Sequence, residues 1–351
     1  MRSRVLVSLV VVLLSGAVHA TGAQREAFTV ADITAQPGET ASGIVSIPAA
    51  DDPATELPVT IVHGTQPGPV LALIAGNHGY EYPPILALQR LRSMLDPKKM
   101  SGTVLIVHIA NMPSFLGRTI YYSPIDGKNM NRVYPGKKDG TTSERIAYVI
   151  TKQIIDQCDY LLDIHCGDGN EDLRHYVYMP VTGDEKMDKA TREIAIAFGI
   201  DHIVVDRNRP TDPEASIYCS STAVTRGKPA ITVESGYLGT TDSAPTHRII
   251  HGVVSLMRHF KMVEGQPDSV EHPIFLEPTE VLLSPATGLL FPNVQRGRTV
   301  AKGTVIATIK DFFGDTIEEV RAPFAGVVLY VVATPPITKG EPVGMIGTIK
   351  P

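Results

Sequence analysis

No extended run of lysine and arginine occurs in this 351-residue sequence, whose formal charge is −5. That absence sets nucleic acid aside as a partner, because grip on phosphates needs a clustered positive face. Cysteine is scarce: Cys158, Cys166 and Cys219 are the only three. Three cannot all pair within one chain, so one bridge plus a free thiol, and three buried thiols, both stay open. Past residue 20 no segment is long and apolar enough to span a bilayer. A disordered composition is also lacking, since 43% of the residues are hydrophobic and 20% charged. The length exceeds one typical core and suits a large domain with a smaller one.

The one long apolar run stands at the start. Arg2 and Arg4 precede residues 5–14, which are apolar except for Ser8, and Val18-His19-Ala20 offers small residues where a signal peptidase reads. This pattern predicts a secretory signal over residues 1–20 and a secreted or periplasmic mature protein. Cleavage after Ala20 removes two positive charges and takes the formal charge from −5 to −7.

Residues 21–68 read as irregular and strand-like. Short apolar runs at 69–75, 103–109, 160–164 and 229–233 suit buried strands. Ile85, Leu88, Leu91 and Leu95, opened by Pro83 and Pro84, form one stripe of a helix. Thr141 and Glu144 resemble a capping box ahead of Ile146, Val149, Ile150 and Ile154. Further helical patterns fall near 186–198 and 244–260. Strands alternating with helices predict an α/β domain with a mostly parallel sheet covered on both faces. Residues 111–140 have no periodic pattern, and an aperiodic stretch of that length is usually functional or disordered.

From about residue 273 the character changes to short apolar runs separated by Gly and Pro. This tail repeats itself: residues 284–288 (SPATG) match 322–326 (APFAG), and Lys302-Gly303 matches Lys339-Gly340. Two similar halves of short strands predict a small β-barrel or sandwich with a pseudo-twofold.

Three apolar runs each end in chemistry. His78 and Glu81 follow the run at 69–75 within Gly76-Asn77-His78-Gly79-Tyr80-Glu81. Ligands bind at the carboxyl ends of strands in open α/β sheets, and two close ligands with a distant third are a common zinc arrangement. His165 ends the run at 160–164 and is the natural third ligand. Glu234 ends the run at 229–233, where a carboxylate can act as general base on a water. The aperiodic loop carries Arg118, Asp126, Asn129, Asn131 and Arg132, whose Asn and Arg donors suit a carboxylate. Cys166, beside His165, is read as a buried or oxidised thiol rather than a ligand.

Taken together, GNHGYE, DGKNMNR, DIHCGD and ITVESG resemble the succinylglutamate desuccinylase/aspartoacylase family, a relative of the zinc carboxypeptidases, over roughly residues 65–260. The resemblance implies a zinc-carboxypeptidase-like mixed sheet flanked by helices. It assigns residues 21–270 to a catalytic domain and residues 271–351 to a small all-β barrel-sandwich domain of biotinyl/lipoyl type. It implies His78, Glu81 and His165 as ligands of one zinc per chain, and Glu234 as the catalytic glutamate. Asn131 and Arg132 would grip a substrate carboxylate, and Arg118 would polarise the scissile carbonyl. Relatives often carry Asp two positions before this Asn to orient a metal-binding His. Asn129 stands there instead and can still accept from an imidazole N–H, without charge. Lys310 sits at the end of a run rather than centred in a turn, so no biotin or lipoyl attachment is expected.

The implied activity is hydrolysis of the amide bond of an N-acyl amino acid or related small amide, the partner being a small molecule with a carboxylate. An exported carboxypeptidase acting on short or cell-wall peptides would use the same residues. A non-catalytic metal-dependent binding protein is the other alternative, and Glu234 argues against it.

Overall fold

A computed structural model describes residues 25–350. The expected signal over residues 1–20, with its cleavage after Ala20, lies outside the described residues.

The apolar runs form neighbouring strands. Gln66–Ala75 lies parallel to Ser101–Val107 on one side and to Tyr160–Gly167 on the other, and Tyr160–Gly167 lies parallel to Ala230–Tyr237. Side chains alternate between two faces along each strand. Leu71, Leu73, Val104, Ile106, Leu162 and Ile164 pack on one face against the helices Tyr82–Met94, Glu185–Ala197 and Ser243–His259. Ala72, Ile74, Leu105, Val107 and Leu161 pack on the other against Thr142–Gln153 and Cys219–Val224. Both faces are covered, which is why these strands read as continuous apolar runs rather than alternating ones.

The sheet is mixed, not mostly parallel. Glu39–Ile47 and Thr55–His63 add as an antiparallel hairpin beside Ser101–Val107, and Tyr176–Pro180 runs antiparallel to Ala230–Tyr237. Tyr176–Pro180 and His202–Asp206 extend the sheet on that side and carry no periodic signal of their own. The predicted helices lie within a few residues of those observed. The loop at 111–140 contains a six-residue helix, Met112–Gly117, and a 3-10 turn, Met130–Arg132.

The tail is all strands. Its first, Ile274–Leu283, does not stay within the tail: it pairs in parallel with His202–Asp206 and continues the main sheet into Pro342–Ile349 and Gly326–Val332. A separate four-stranded sheet holds Gly288–Pro292, Val305–Lys310, Thr316–Arg321 and Pro336–Ile337. The internal repeat spans both sheets, its first half opening in the four-stranded sheet and its second in the main one. Gly288 and Gly326 open equivalent strands, and a Cβ on either would meet a carbonyl oxygen of the paired strand, Lys310 at 2.2 Å and Gly347 at 2.5 Å. Lys310 ends Val305–Lys310 ahead of the turn at 311–315 and lies 5.4 Å over the Phe291 ring. Arg296 fastens the tail to the rest by pairing with Asp172 and lying 3.5 Å over the Tyr237 ring. Cys158, Cys166 and Cys219 are three buried free thiols. Among the described residues no helix is long and apolar enough to cross a membrane.

Candidate metal centre

Three adjacent parallel strands deliver the predicted residues to one end of the sheet. His78 lies on the turn leaving Gln66–Ala75. Gly79 behind it is pressed against backbone, and a Cβ there would meet Ser114 O at 2.3 Å and Thr119 O at 2.5 Å. Glu81 occupies the N-cap of Tyr82–Met94 but makes no capping hydrogen bond. A capping side chain bonds the N–H of the second or third helical residue. Here those are Pro83 and Pro84, which have none, so the Glu81 carboxylate is free to turn inward. His165 and Glu234 are register partners across parallel strands and therefore stand side by side on one face.

The ligand atoms of His78, Glu81 and His165 lie within 4.8 Å of one another, and all three residues are buried. Glu81 Oε1 is 2.8 Å from His78 Nδ1 and 2.9 Å from His165 Nδ1. The remote nitrogens are engaged elsewhere: His165 Nε2 donates to Asp163 Oδ1 at 2.8 Å, and His78 Nε2 donates to Asn129 Oδ1 at 3.1 Å. With those protons placed, both Nδ1 lone pairs face a carboxylate, an arrangement that requires protons or a cation between them. Two imidazoles and one carboxylate, with each imidazole held from behind, form a donor set that suits zinc.

The electrostatics fit a shared positive charge. Burial disfavours the Glu81 anion, but the two imidazoles outweigh it and hold the carboxyl down at about 2. Burial likewise opposes the imidazolium at His78, yet Glu81 raises its pKa. His165 is raised well above its ordinary value against burial, by Asp163 and Glu81. Burial pushes the Glu234 carboxyl well up, and its Oε2 is buried without a hydrogen-bond partner. Burial also pushes the Cys166 thiol well up, which disfavours the thiolate a metal would need.

Asn131 and Arg132 reach the same place from the loop. The Cys219 N–H donates to Asn131 Oδ1 at 2.9 Å, and Asn131 Nδ2 lies 3.2 Å from His165 Nε2. Arg132 is exposed, donates to Asn131 O at 2.7 Å and lies 4.6 Å over the Tyr218 ring. Asp126 instead accepts from the Ser143 N–H at 2.8 Å and anchors the loop to Thr142–Gln153. Arg118 does not join the site. It caps Met112–Gly117 in the left-handed region (φ 52°), stands exposed, and is not among the residues lining the cavity.

His78, Glu81, Asn131, Arg132, His165 and Glu234 line a cavity of about 430 Å³. Thr279, Val281, Tyr330, Pro342 and Met345 from the tail form its far wall. A larger cavity, about 770 Å³, opens beside Pro69, Tyr160 and Pro229 at the amino ends of the same strands and holds none of the predicted site residues.

Sequence reasoning passed over Asp163. It is fully buried, and its Oδ1 also accepts from Asn77 Nδ2 at 2.8 Å. Asn77 Oδ1 in turn accepts from the Tyr134 hydroxyl at 3.1 Å. The available signal was spacing: two residues before His165 on a strand is the same face. Glu171 and Tyr121, which also line the cavity, were missed because neither sits in a ligand or base pattern.

The sequence pattern of the Succinylglutamate desuccinylase/Aspartoacylase catalytic domain matches residues 67–260. The chain is 32% identical over 319 residues to the N-alpha-acetyl-L-2,4-diaminobutyric acid deacetylase of Halomonas elongata, covering 88% of this chain and 91% of that one. Among solved structures it is similar to an aspartoacylase family protein of Mesorhizobium loti (TM-score 0.76, 27% identity, 90% of this chain and 96% of that one). It is also similar in fold to the product-bound ectoine utilization protein of Ruegeria pomeroyi (TM-score 0.79, 24% identity, 88% of this chain and 95% of that one).

Proposed function

Since the chain belongs to the succinylglutamate desuccinylase/aspartoacylase family, we propose that it hydrolyses the amide bond of an N-acyl amino acid or a related small amide, using one zinc held by His78, Glu81 and His165. The observation that carries this reading is the joining of that donor set to Glu234, one strand away, inside a cavity of about 430 Å³. Sites of this volume suit small molecules. The tail wall favours a compact substrate over a peptide that must extend past the scissile bond. The Halomonas relative's named substrate, an N-acetylated amino acid, is of this class.

Zinc, when bound, would acidify a water and polarise the substrate carbonyl. Glu234 takes the proton from the attacking water and returns it to the leaving nitrogen, so that amide plus water become a carboxylate and an ammonium. Its buried, unpartnered Oε2 and raised affinity for protons suit both halves of that shuttle. Arg132, anchored through Asn131 and Tyr218 yet open to solvent, holds the substrate carboxylate together with Asn131. Asp163 and Asn129 hold the imidazoles in the tautomers a metal needs.

The same reading places catalysis in residues 21–270 and a barrel-sandwich domain of biotinyl/lipoyl type in residues 271–351, on a protein exported by its N-terminal signal. The test is metal analysis of the purified protein with a screen of N-acyl amino acids. One zinc per chain and release of free amino acid are expected. Glu234→Gln should keep the zinc while losing about 10²–10⁴-fold in kcat. A variant as active as the wild type would remove Glu234 from the mechanism, and release of C-terminal residues from unacylated dipeptides would favour a carboxypeptidase.

A further inference from the structure

Arg132 is given the substrate carboxylate to hold, yet its own loop does little to hold Arg132. It is exposed, and among the described residues its guanidinium makes one hydrogen bond, to the carbonyl of the neighbouring Asn131. A long side chain so placed loses rotamer freedom when it grips a ligand, and that loss weakens binding unless the side chain is steadied beforehand.

The steadying contacts come from residues 217–219. The Cys219 N–H donates to Asn131 Oδ1 at 2.9 Å, the Arg132 guanidinium lies 4.6 Å over the Tyr218 ring, and the Tyr134 N–H donates to Ile217 O at 3.3 Å. Ile217 has a left-handed backbone, φ 44°, which β-branched residues rarely adopt. Strain of this kind persists where surrounding contacts fix it. Here it leads the chain into Cys219–Val224 with Tyr218 on the cavity wall.

A second guanidinium lies on the same ring. Arg209 stands 4.3 Å over Tyr218 and 5.7 Å over Tyr178. Its Nε pairs with Asp206 at the end of His202–Asp206, and its Nη1 donates to Ser221 Oγ, in Cys219–Val224, at 3.2 Å. The Arg209 side chain is 13% exposed and that of Asp206 16%. A pair so buried contributes little net stability, because both charges give up their water. What it supplies is a fixed position. Arg209 is also the one residue shared by the linings of the 430 Å³ and 770 Å³ cavities, so its side chain is part of the partition between them, beside Tyr218.

We propose that Arg209 and Tyr218 are positioning residues for the carboxylate grip: Arg209, fixed by Asp206 and Ser221, holds the Tyr218 ring, and the ring holds the Arg132 guanidinium in place for the substrate. This rests on the deacylase reading for the task of Arg132, but not for its placement.

The test uses zinc-loaded protein with N-acetyl-L-alanine and N-acetyl-L-methionine as substrates, each beside its α-amide. Tyr218→Leu removes the π-face and Tyr218→Phe keeps it. Asp206→Asn with Arg209→Met replaces both members of the buried pair, which disturbs folding less than removing one. A cation over a ring changes affinity by about three- to thirtyfold. Tyr218→Leu and the paired substitution should each raise KM for the acids by about that factor, with kcat and the kinetics on the amides within about twofold of wild type. Tyr218→Phe should return KM to within about twofold of wild type. In an Arg132→Lys background either change should cost less than about twofold further, because residues that act through one another do not add. A fall in kcat, equal effects on acids and amides, a Tyr218→Phe as impaired as Tyr218→Leu, or full additivity with Arg132→Lys would each overturn the positioning. Crystal structures of the wild type and the paired variant keep the two readings apart. Arg132 unmoved in that variant would overturn the positioning whatever the kinetics. Arg132 displaced in a protein that hydrolyses no acyl amino acid would sink the deacylase reading and leave the positioning standing.

Discussion

Replacing Asp163 with asparagine isolates what one buried carboxylate contributes to metal affinity. Asp163 is fully buried, and its Oδ1 accepts from His165 Nε2 and from Asn77 Nδ2, each at 2.8 Å. The first bond keeps the His165 proton on Nε2 and turns the Nδ1 lone pair toward Glu81. The negative charge also makes that lone pair more basic. Asparagine has nearly the same volume and still accepts a hydrogen bond, but it brings no charge. Loss of such a partner lowers metal affinity by about 10–100-fold, or about 1.4–2.7 kcal/mol. A charge-assisted hydrogen bond contributes roughly 1.5–3 kcal/mol, so the two routes to the magnitude agree. The assay is competition for zinc against a chromophoric chelator at neutral pH, with melting of the metal-free proteins as a control on folding. Excess zinc should restore most turnover, because Asp163 is not among the residues lining the cavity. An unchanged zinc affinity in a variant that melts like the wild type would show that His165 needs no orienting partner.

Arg132→Lys should lower kcat/KM by about 10–100-fold on substrates with a free carboxylate, with little change in melting temperature or zinc content. Kinetics on matched acid and amide substrates check this, and identical treatment of both by variant and wild type would remove the carboxylate from Arg132. Arg118→Ala should leave kcat/KM within about twofold, whereas loss of an oxyanion donor costs about 10²–10³-fold; a loss of that size would place Arg118 at the carbonyl after all. Acid stability should show the signature of Glu144. Burial pushes its carboxyl up, but the Thr141 N–H, Lys137 and Lys128 outweigh that and hold it at about 2, below its ordinary 4.5. A depressed carboxyl stabilises the fold fully above its unfolded value and loses that contribution as pH falls through the folded one. The melting deficit of Glu144→Gln should therefore be largest above about pH 5 and shrink toward about pH 2. A deficit that stays constant across that range would mean the charge of Glu144 is not what matters.

Much of the centre was legible because each residue closes a local pattern. His78, Glu81, His165 and Glu234 stand where buried apolar runs stop, and a strand's end is a property of the few residues around it. The helix Tyr82–Met94 announced itself through its apolar stripe and through Pro83 and Pro84, and those same prolines leave Glu81 uncapped. The amide of Asn129 can accept from an imidazole N–H, and the structure brings its Oδ1 within 3.1 Å of His78 Nε2. Arg118 shows the limit: its place in an aperiodic loop says nothing about direction, and a left-handed backbone at the helix end leaves it outside the cavity lining.

By itself the sequence determined the alternation of strands and helices, the two-part tail and the residues at the strand ends, because hydrophobic period, Gly and Pro breaks and capping groups act over a few residues. Only the tertiary structure decided which strands became neighbours. The entry of Ile274–Leu283 into the main sheet, the tail wall over the cavity and the register that sets Glu171 beside Tyr330 depend on pairings between segments up to 161 residues apart (Glu171↔Val332). Those pairings are chosen by the burial of whole faces against one another, and no short stretch of chain carries that information.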